Sequence, residues 1–203
     1  MKKLLSLLCA ASLALSLAAC GASADTNTNT NTTEPVAGTL YSLENATVLT
    51  FTDSGITAQD SSDTGYEIDG TALTITGAGT YAVTGTCADG SITVKKGTTG
   101  VTLVLNGLAL TSADTAPITC NKSAQVTIVA AEGSVNSLTD SAENNGDEYP
   151  DNEAAENAVI KCKDGSQVTL CGTGSLTVTA NGKNGIKSGA TTAEEGEASL
   201  TIR

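Results

Sequence analysis

The chain of 203 residues contains no histidine and no tryptophan, and aromatic residues make up only 2% of it. Without histidine, Ser-His-Asp and Cys-His catalytic arrangements are excluded, and so are imidazole-ligated metal sites. Positive charge is scarce as well: 10 Lys and Arg residues face 22 Asp and Glu residues, and the only arginine is Arg203, at the end of the chain. The net charge of -12 argues against nucleic acid and anionic membrane surfaces as partners and favours cations or neutral ligands.

The N-terminal segment has the pattern of an export signal. Two lysines precede the apolar run "LLSLLCAASLALSL" (residues 4–17), which is too short to span a membrane comfortably and is followed by small residues. Residues 1–20 are therefore predicted to be a signal peptide. Its end, "LAAC" (17–20), is similar to the lipobox of bacterial lipoproteins, in which a cysteine such as Cys20 carries the lipid anchor. The alternative is an ordinary cleavable signal with a chance cysteine.

A spacer and one domain follow the signal. Residues 21–38 are rich in Asn and Thr and have almost no large apolar side chains, so they are predicted to form a flexible tether. Loss of the two leader lysines takes the net charge from -12 to -14. We expect the protein to be a monomer, attached by lipid to the extracellular face of the cell membrane, with residues 39–203 as its domain.

Short alternating runs rich in Thr and Val fill this domain, for example "VTLVL" (101–105), "QVTIV" (125–129) and "QVTLC" (167–171). Alternation with β-branched residues is typical of strands, and no run after residue 20 has helical periodicity. Val101 and Val126 are 25 residues apart, and removal of a 17-residue acidic stretch brings Val126 and Val168 to the same spacing. A fixed period of this size predicts an all-β fold, a right-handed parallel β-helix (solenoid). A β-sandwich is the alternative.

The alternation also predicts which side chains face the interior. The expected inward positions are Val101, Leu103, Leu105, Val126, Ile128, Val168, Leu170, Leu176 and Val178, with threonines between them facing outward. Cys120 and Cys162 lie six residues before Val126 and Val168, at equivalent inward positions of neighbouring repeats. We expect reduced, buried thiols there. A disulfide between the repeats is the alternative, since neighbouring strands are about 4.8 Å apart.

The 17-residue stretch 140–156 holds seven acidic residues and no basic one. It is predicted to be an insertion between two repeats, and such insertions often lie on a binding face. Clustered carboxylates attract a hard cation, and calcium takes six to eight oxygen ligands. The spacing does not match an EF-hand loop, so a solvated acidic loop is the alternative. The calcium candidates within the stretch are Asp140, Glu143, Asp147, Glu148, Asp151 and Glu156.

Four ordered blocks resemble a known family. They are residues 77–94, 101–118, 136–140 and 157–188, which read "GAGTYAVTGTCADGSITV", "VTLVLNGLALTSADTAPI", "NSLTD" and "NAVIKCKDGSQVTLCGTGSLTVTANGKNGIKS". Together they resemble the calcium-binding, carbohydrate-binding parallel β-helix lipoproteins of anaerobic Gram-positive bacteria. The resemblance implies a pectate-lyase-like fold, bound calcium and attachment to plant polysaccharides such as cellulose and pectin (polygalacturonate). It adds Asn157 and Asp164 to the calcium ligands. This chain departs from the family in "KDG" (163–165), in its cysteines, and in ending within a strand, which suggests a truncated last repeat.

Three functions follow from these expectations. The first is a non-catalytic surface protein that binds polysaccharide with the help of calcium, with Tyr149 in the acidic stretch as either a sugar contact or a loop anchor. The second is a calcium-dependent polysaccharide lyase, which needs a general base. Its candidate bases are Lys161, Lys163, Lys183 and Lys187. The third is a structural or adhesive protein without a glycan ligand.

Overall fold

The computed structural model of the protein describes residues 41–59 and 64–203, and all its regular elements within those residues are β-strands. The predicted signal peptide, Cys20 and the tether 21–38 lie outside the described residues. No helix long and apolar enough to cross a membrane occurs in the part that the structure describes. The strands are β1 (Thr47–Thr52), β2 (Gly55–Gln59), β3 (Tyr66–Asp69), β4 (Ala72–Ile75), β5 (Gly79–Cys87), β6 (Ser91–Val94), β7 (Val101–Ser112), β8 (Ile118–Cys120), β9 (Gln125–Ala130), β10 (Val135–Asp140), β11 (Ile160–Cys162), β12 (Gln167–Gly172), β13 (Ser175–Thr179), β14 (Ile186–Lys187) and β15 (Ser199–Ile202).

These strands form two sheets. The first sheet has the order β15-β12-β9-β7-β5-β1-β2, and β10 joins it by pairing with the second half of β7 and with β13. The second sheet has the order β14-β11-β8-β6-β4-β3. The pairs β1–β2 and β3–β4 are antiparallel, and the remaining neighbours are parallel. Each sheet is therefore mixed, with an antiparallel pair at one edge.

The prediction of a right-handed parallel β-helix, pectate-lyase-like in its winding, is wrong. The protein is all-β, but its strands lie in two mixed sheets that are not closed. Equal spacing predicted the parallel register correctly, since Val101 lies opposite Val126 and Val126 opposite Val168. Spacing does not reveal whether the chain keeps winding in one direction. The segment before Gly79 does not, because each of its two hairpins turns the chain back on itself.

The apolar faces of the two sheets share one core. The six predicted inward residues from Val101 to Val168 are each at most 3% exposed, which confirms the alternation. Leu170, Leu176 and Val178 are only partly buried against this core. They line a cavity of about 300 Å³ beside Ile186 and Ile202, where fewer strands cover the interior.

The cysteine register is as predicted. Cys120 on β8 lies directly opposite Cys162 on β11, and both side chains are buried. Cys87, Cys120, Cys162 and Cys171 are free thiols in the structure. A hydrogen bond with Cys162, followed by burial, raises the pKa of the Cys120 thiol. That thiol therefore stays protonated and behaves as a small apolar side chain.

One buried carboxylate ties the segment before β15 to the turns of the second sheet. Glu195 Oε1 lies 2.6 Å from Lys96 Nζ and 3.5 Å from Lys122 Nζ, and Ser123 Oγ donates to Glu195 Oε2 at 3.0 Å. The hydrogen bond from Lys96 is the main reason that the pKa of Glu195 lies below its ordinary value, and Ser123 and Lys122 act in the same direction. This contact is therefore a stabilising ion pair at neutral pH.

Because the pKa of Glu195 is lower in the folded state, its stabilisation is complete above the ordinary glutamate pKa and is lost as the pH falls through the lowered value. We expect Glu195→Gln to be less stable than the wild type at pH 7, with the difference shrinking at pH 3. Urea denaturation at both pH values measures this, and Glu194→Gln, at an exposed neighbour, is the control. An equal difference at both pH values would contradict the ion-pair explanation.

Candidate functional site

The predicted acidic insertion is a connection between the sheets. Residues 141–159 link β10 to β11, and the parallel ladder resumes immediately after them with Ile160 opposite Ile118. Asp140, at the end of β10, is 1% exposed. Its Oδ1 accepts hydrogen bonds from the backbone N–H groups of Asn181 (2.6 Å) and Gly182 (3.2 Å), and its Oδ2 accepts from Asn144 Nδ2 (2.9 Å). Asp140 is therefore the anchor of the connection.

Side-chain amide oxygens of this connection also accept hydrogen bonds. Buried Asn144 accepts at Oδ1 from the backbone N–H groups of Glu156 (2.7 Å) and Asn157 (3.1 Å), and donates through Nδ2 to Ala158 O (2.9 Å). Asn157 Oδ1 accepts from Gly146 N at 3.0 Å. The side chains of Asn144 and Asn157 thus bind the backbone of their own loop.

The carboxylates at the surface of the connection have partners of another kind. Asp147 forms an ion pair with Lys183, and the hydrogen bond from Lys183 holds the pKa of Asp147 below its ordinary value. Glu156 Oε1 lies 2.6 Å from Lys163 Nζ. Lysines from two later loops, one after β11 and one between β13 and β14, therefore neutralise part of the acidic stretch.

The other candidate ligands are dispersed. Glu148 Oε2 accepts from Asn145 Nδ2 at 3.3 Å, and Asp164 Oδ1 accepts from Ala190 N at 2.9 Å. Glu143 and Asp151 are exposed. Within residues 41–59 and 64–203, no three His, Cys, Asp or Glu side chains converge as a metal site would require. Carboxylates alone therefore do not assemble the six to eight oxygens that calcium takes, which also include backbone and amide carbonyls and water, and calcium binding stays a prediction from the sequence.

Tyr149 lies at the surface of the same connection, with 41% of its side chain exposed. Its backbone takes part in the loop: Tyr149 N donates to Asn145 O at 2.8 Å, and Asn152 N donates to Tyr149 O at 3.0 Å. The ring is available to a ligand, since an aromatic face can stack on the apolar face of a sugar.

A second polar surface lies on the outer face of the first sheet. Thr80, Thr102, Thr127, Thr169 and Thr201 occupy one register row across the adjacent strands β5, β7, β9, β12 and β15. We call these five residues the threonine row. Neighbouring strands are about 4.8 Å apart, so the row presents hydroxyl groups at that interval.

A parallel row lies two residues earlier on β9, β12 and β15. Gln125 lies opposite Gln167, and Gln167 lies opposite Ser199. With Thr102, Thr127 and Thr169, these residues line a groove of about 350 Å³. The outward position of the threonines is as predicted, whereas their alignment was not predicted. The available signal was the threonine two residues after the first residue of "QVTIV", "QVTLC" and "SLTI".

Residues 69–200 match the family described as "Carbohydrate-binding domain-containing protein". A protein of that name from Acetivibrio thermocellus is 37% identical over 123 residues, which are 60% of this chain and 42% of the relative. This chain thus spans less than half the length of that relative.

A solved structure is also similar. It is that of the polysaccharide lyase-like protein from C. thermocellum, as a gadolinium derivative. The TM-score is 0.55 at 31% sequence identity, and the match covers 70% of this chain and 55% of the other.

Proposed function

The chain belongs to the family of carbohydrate-binding domain-containing proteins, and we propose that it binds an extended polysaccharide, such as cellulose or pectin, without cleaving it. The observation that carries this proposal is the threonine row with its adjoining glutamine row. Thr102, Thr127 and Thr169 of the row line a polar groove together with the adjoining glutamines, on the outer face of the first sheet. Catalytic groups are not needed for this role.

The groove suits a chain of sugars better than a single sugar. Threonine hydroxyls donate and accept hydrogen bonds, and glutamine amides do both as well, which matches the hydroxyl groups of a saccharide. A polysaccharide lying across the strands meets a new threonine about once per sugar unit, at intervals of about 4.8 Å. Each contact is weak, and their number provides the affinity.

Removal of two central hydroxyls tests this surface. We expect the double variant Thr127→Val, Thr169→Val to lose at least about fivefold in affinity for cellulose, because each lost hydrogen bond contributes about 0.5–1.5 kcal/mol. Valine keeps the shape and strand preference of threonine. Retention on immobilised cellulose and polygalacturonate measures the effect.

Thr57→Val is the matched control, since Thr57 is exposed on β2, outside the groove. Equal retention of the double variant and this control would exclude the groove as the binding surface. Failure of the wild type to bind any glycan would contradict the proposed function and leave a structural or adhesive role.

Whether polysaccharide binding depends on calcium is a separate question that experiment can answer. Retention measured with and without a chelator, together with calcium calorimetry, shows whether binding depends on the ion. Asp147→Ala is the suitable variant for calorimetry because Asp147 is exposed and belongs to the predicted ligand set. If Asp147→Ala binds calcium as tightly as the wild type, Asp147 is not one of the calcium ligands.

A lyase is the second candidate because one lysine has a perturbed pKa. Burial, followed by the charge of Lys187, lowers the pKa of Lys161, and lysine can act as a general base when neutral. Incubation with polygalacturonate distinguishes the two functions. Unsaturated products that absorb ultraviolet light would establish a lyase, and their absence would support simple binding.

We also place the protein, as a monomer, on the extracellular face of the cell membrane, with Cys20 carrying the lipid. A lipid anchor adds about 0.8 kcal/mol of membrane affinity for each buried methylene group. Labelling with a radioactive fatty acid tests the anchor: the wild type should incorporate the label and Cys20→Ala should not. Sedimentation of the unlipidated domain tests its monomeric state.

A further inference from the structure

Two lysines lie side by side on the outer face of the second sheet. Lys161 on β11 is directly opposite Lys187 on β14. Within the described residues neither forms an ion pair, although four other lysines are each paired with a carboxylate: Lys96, Lys122, Lys163 and Lys183. Like charges opposite each other on neighbouring strands destabilise a sheet. The pair is therefore a local cost that the fold itself does not explain.

The nearby carboxylates form their contacts with other groups. Glu156 is paired with Lys163, and Asp147 is paired with Lys183. Asp164 Oδ1 accepts a hydrogen bond from Ala190 N. In a chain with 22 acidic and 10 basic residues, these two adjacent ammonium groups therefore have no carboxylate in ion-pair contact within the described residues. Burial, followed by the charge of Lys187, lowers the pKa of Lys161, and the charges of Glu156 and Asp164 offset part of this effect.

We propose that Lys161 and Lys187 bind the carboxylate of a uronate unit in an acidic polysaccharide. This inference rests on the proposed polysaccharide-binding function and names a ligand class for the second sheet, separate from the threonine row of the first. An anion between two ammonium groups removes their repulsion and forms charge-assisted hydrogen bonds. In a protein with a net charge of -12, a polyanion is otherwise repelled, so its binding requires such a local positive site.

The experiment measures the affinity of the full chain for two glycans. Polygalacturonate supplies uronate carboxylates, and cellulose supplies the same kind of polymer without charge. For Lys161→Met and Lys187→Met we expect an affinity for polygalacturonate lower by about fivefold each, since one charge-assisted hydrogen bond is lost. The affinity for cellulose should change by less than about twofold, because the threonine row is intact.

Lys95→Met is the matched control because Lys95 is exposed and its loss changes the net charge equally. It should leave both affinities within about twofold of the wild type. A further arm adds inorganic phosphate at the concentration of the uronate units. If polygalacturonate still binds in the presence of phosphate, the site recognises the acidic polysaccharide. If phosphate displaces polygalacturonate completely, the two lysines form a general anion site and the assignment is overturned.

The outcomes separate this inference from the proposed function. If the wild type binds cellulose but not polygalacturonate, or if both lysine variants bind polygalacturonate normally, the uronate site is wrong and polysaccharide binding stands. If the wild type binds neither glycan, the proposed function fails, and the uronate site fails with it. Thermal unfolding of each variant verifies that the substitution leaves the fold unchanged.

Discussion

Asp140→Ala is expected to lower the free energy of unfolding by about 3–5 kcal/mol, because it removes three hydrogen bonds to a carboxylate that is 1% exposed, each of which contributes about 1–1.5 kcal/mol. The donors are the backbone N–H groups of Asn181 and Gly182, and Asn144 Nδ2. The two backbone groups belong to the segment after β13, and Asn144 belongs to the connection after β10. The carboxylate of Asp140 therefore joins the connection after β10 to the segment after β13, although Asp140 and Asn181 are 41 residues apart in the sequence.

Chemical denaturation monitored by circular dichroism measures this loss, with Asp151→Ala as the control. Asp151 is an exposed acid of the same connection, and its replacement should change stability by less than about 0.5 kcal/mol. Equal effects of the two substitutions would show that the buried hydrogen bonds contribute little. If a cation rather than these donors held Asp140, a chelator would destabilise the wild type by a similar amount and would not affect Asp140→Ala.

The sequence was sufficient for the strands and their neighbours because both depend on local alternation and spacing. Val101, Val126 and Val168 were expected to be equivalent, and they lie opposite one another in adjacent strands. The same spacing predicted that Cys120 and Cys162 occupy equivalent positions, and they lie opposite each other. The direction in which the chain winds was not predictable from the spacing, because the hairpins β1–β2 and β3–β4 precede the clear repeats and reverse the chain.

The site was predictable only in position. Residues 140–156 were recognised as an insertion, and they do form most of the connection between β10 and β11. The roles of their side chains depend on residues far along the chain: Asp140 meets Asn181 and Gly182, Asp147 meets Lys183, and Glu156 meets Lys163. A count of carboxylates cannot reveal such partners, so these contacts were not predictable from the sequence.

Gly172→Ala is expected to destabilise the protein by about 3 kcal/mol or more, through a contact that no sequence pattern reveals. Gly172 ends β12 opposite Ala130 of β9 and has a φ of 112°, a backbone conformation that residues with a side chain rarely adopt. A Cβ atom there would lie 2.1 Å from Ala130 O and 2.8 Å from Ala130 N. Both atoms belong to the backbone, so the parallel pairing of β9 and β12 must open to make room.

Gly133→Ala is the comparison variant for that expected loss. Gly133 also has a positive φ, of 71°, but a Cβ there would meet nothing within 4 Å. Its replacement costs only the strain of the left-handed backbone conformation, about 1–2 kcal/mol. The difference in stability between the two variants, from urea midpoints at constant slope, therefore contains the steric contact with Ala130 and the additional strain of a φ of 112°. Equal midpoints would mean that β9 and β12 can separate without loss, and would contradict the close parallel packing on which the threonine row depends.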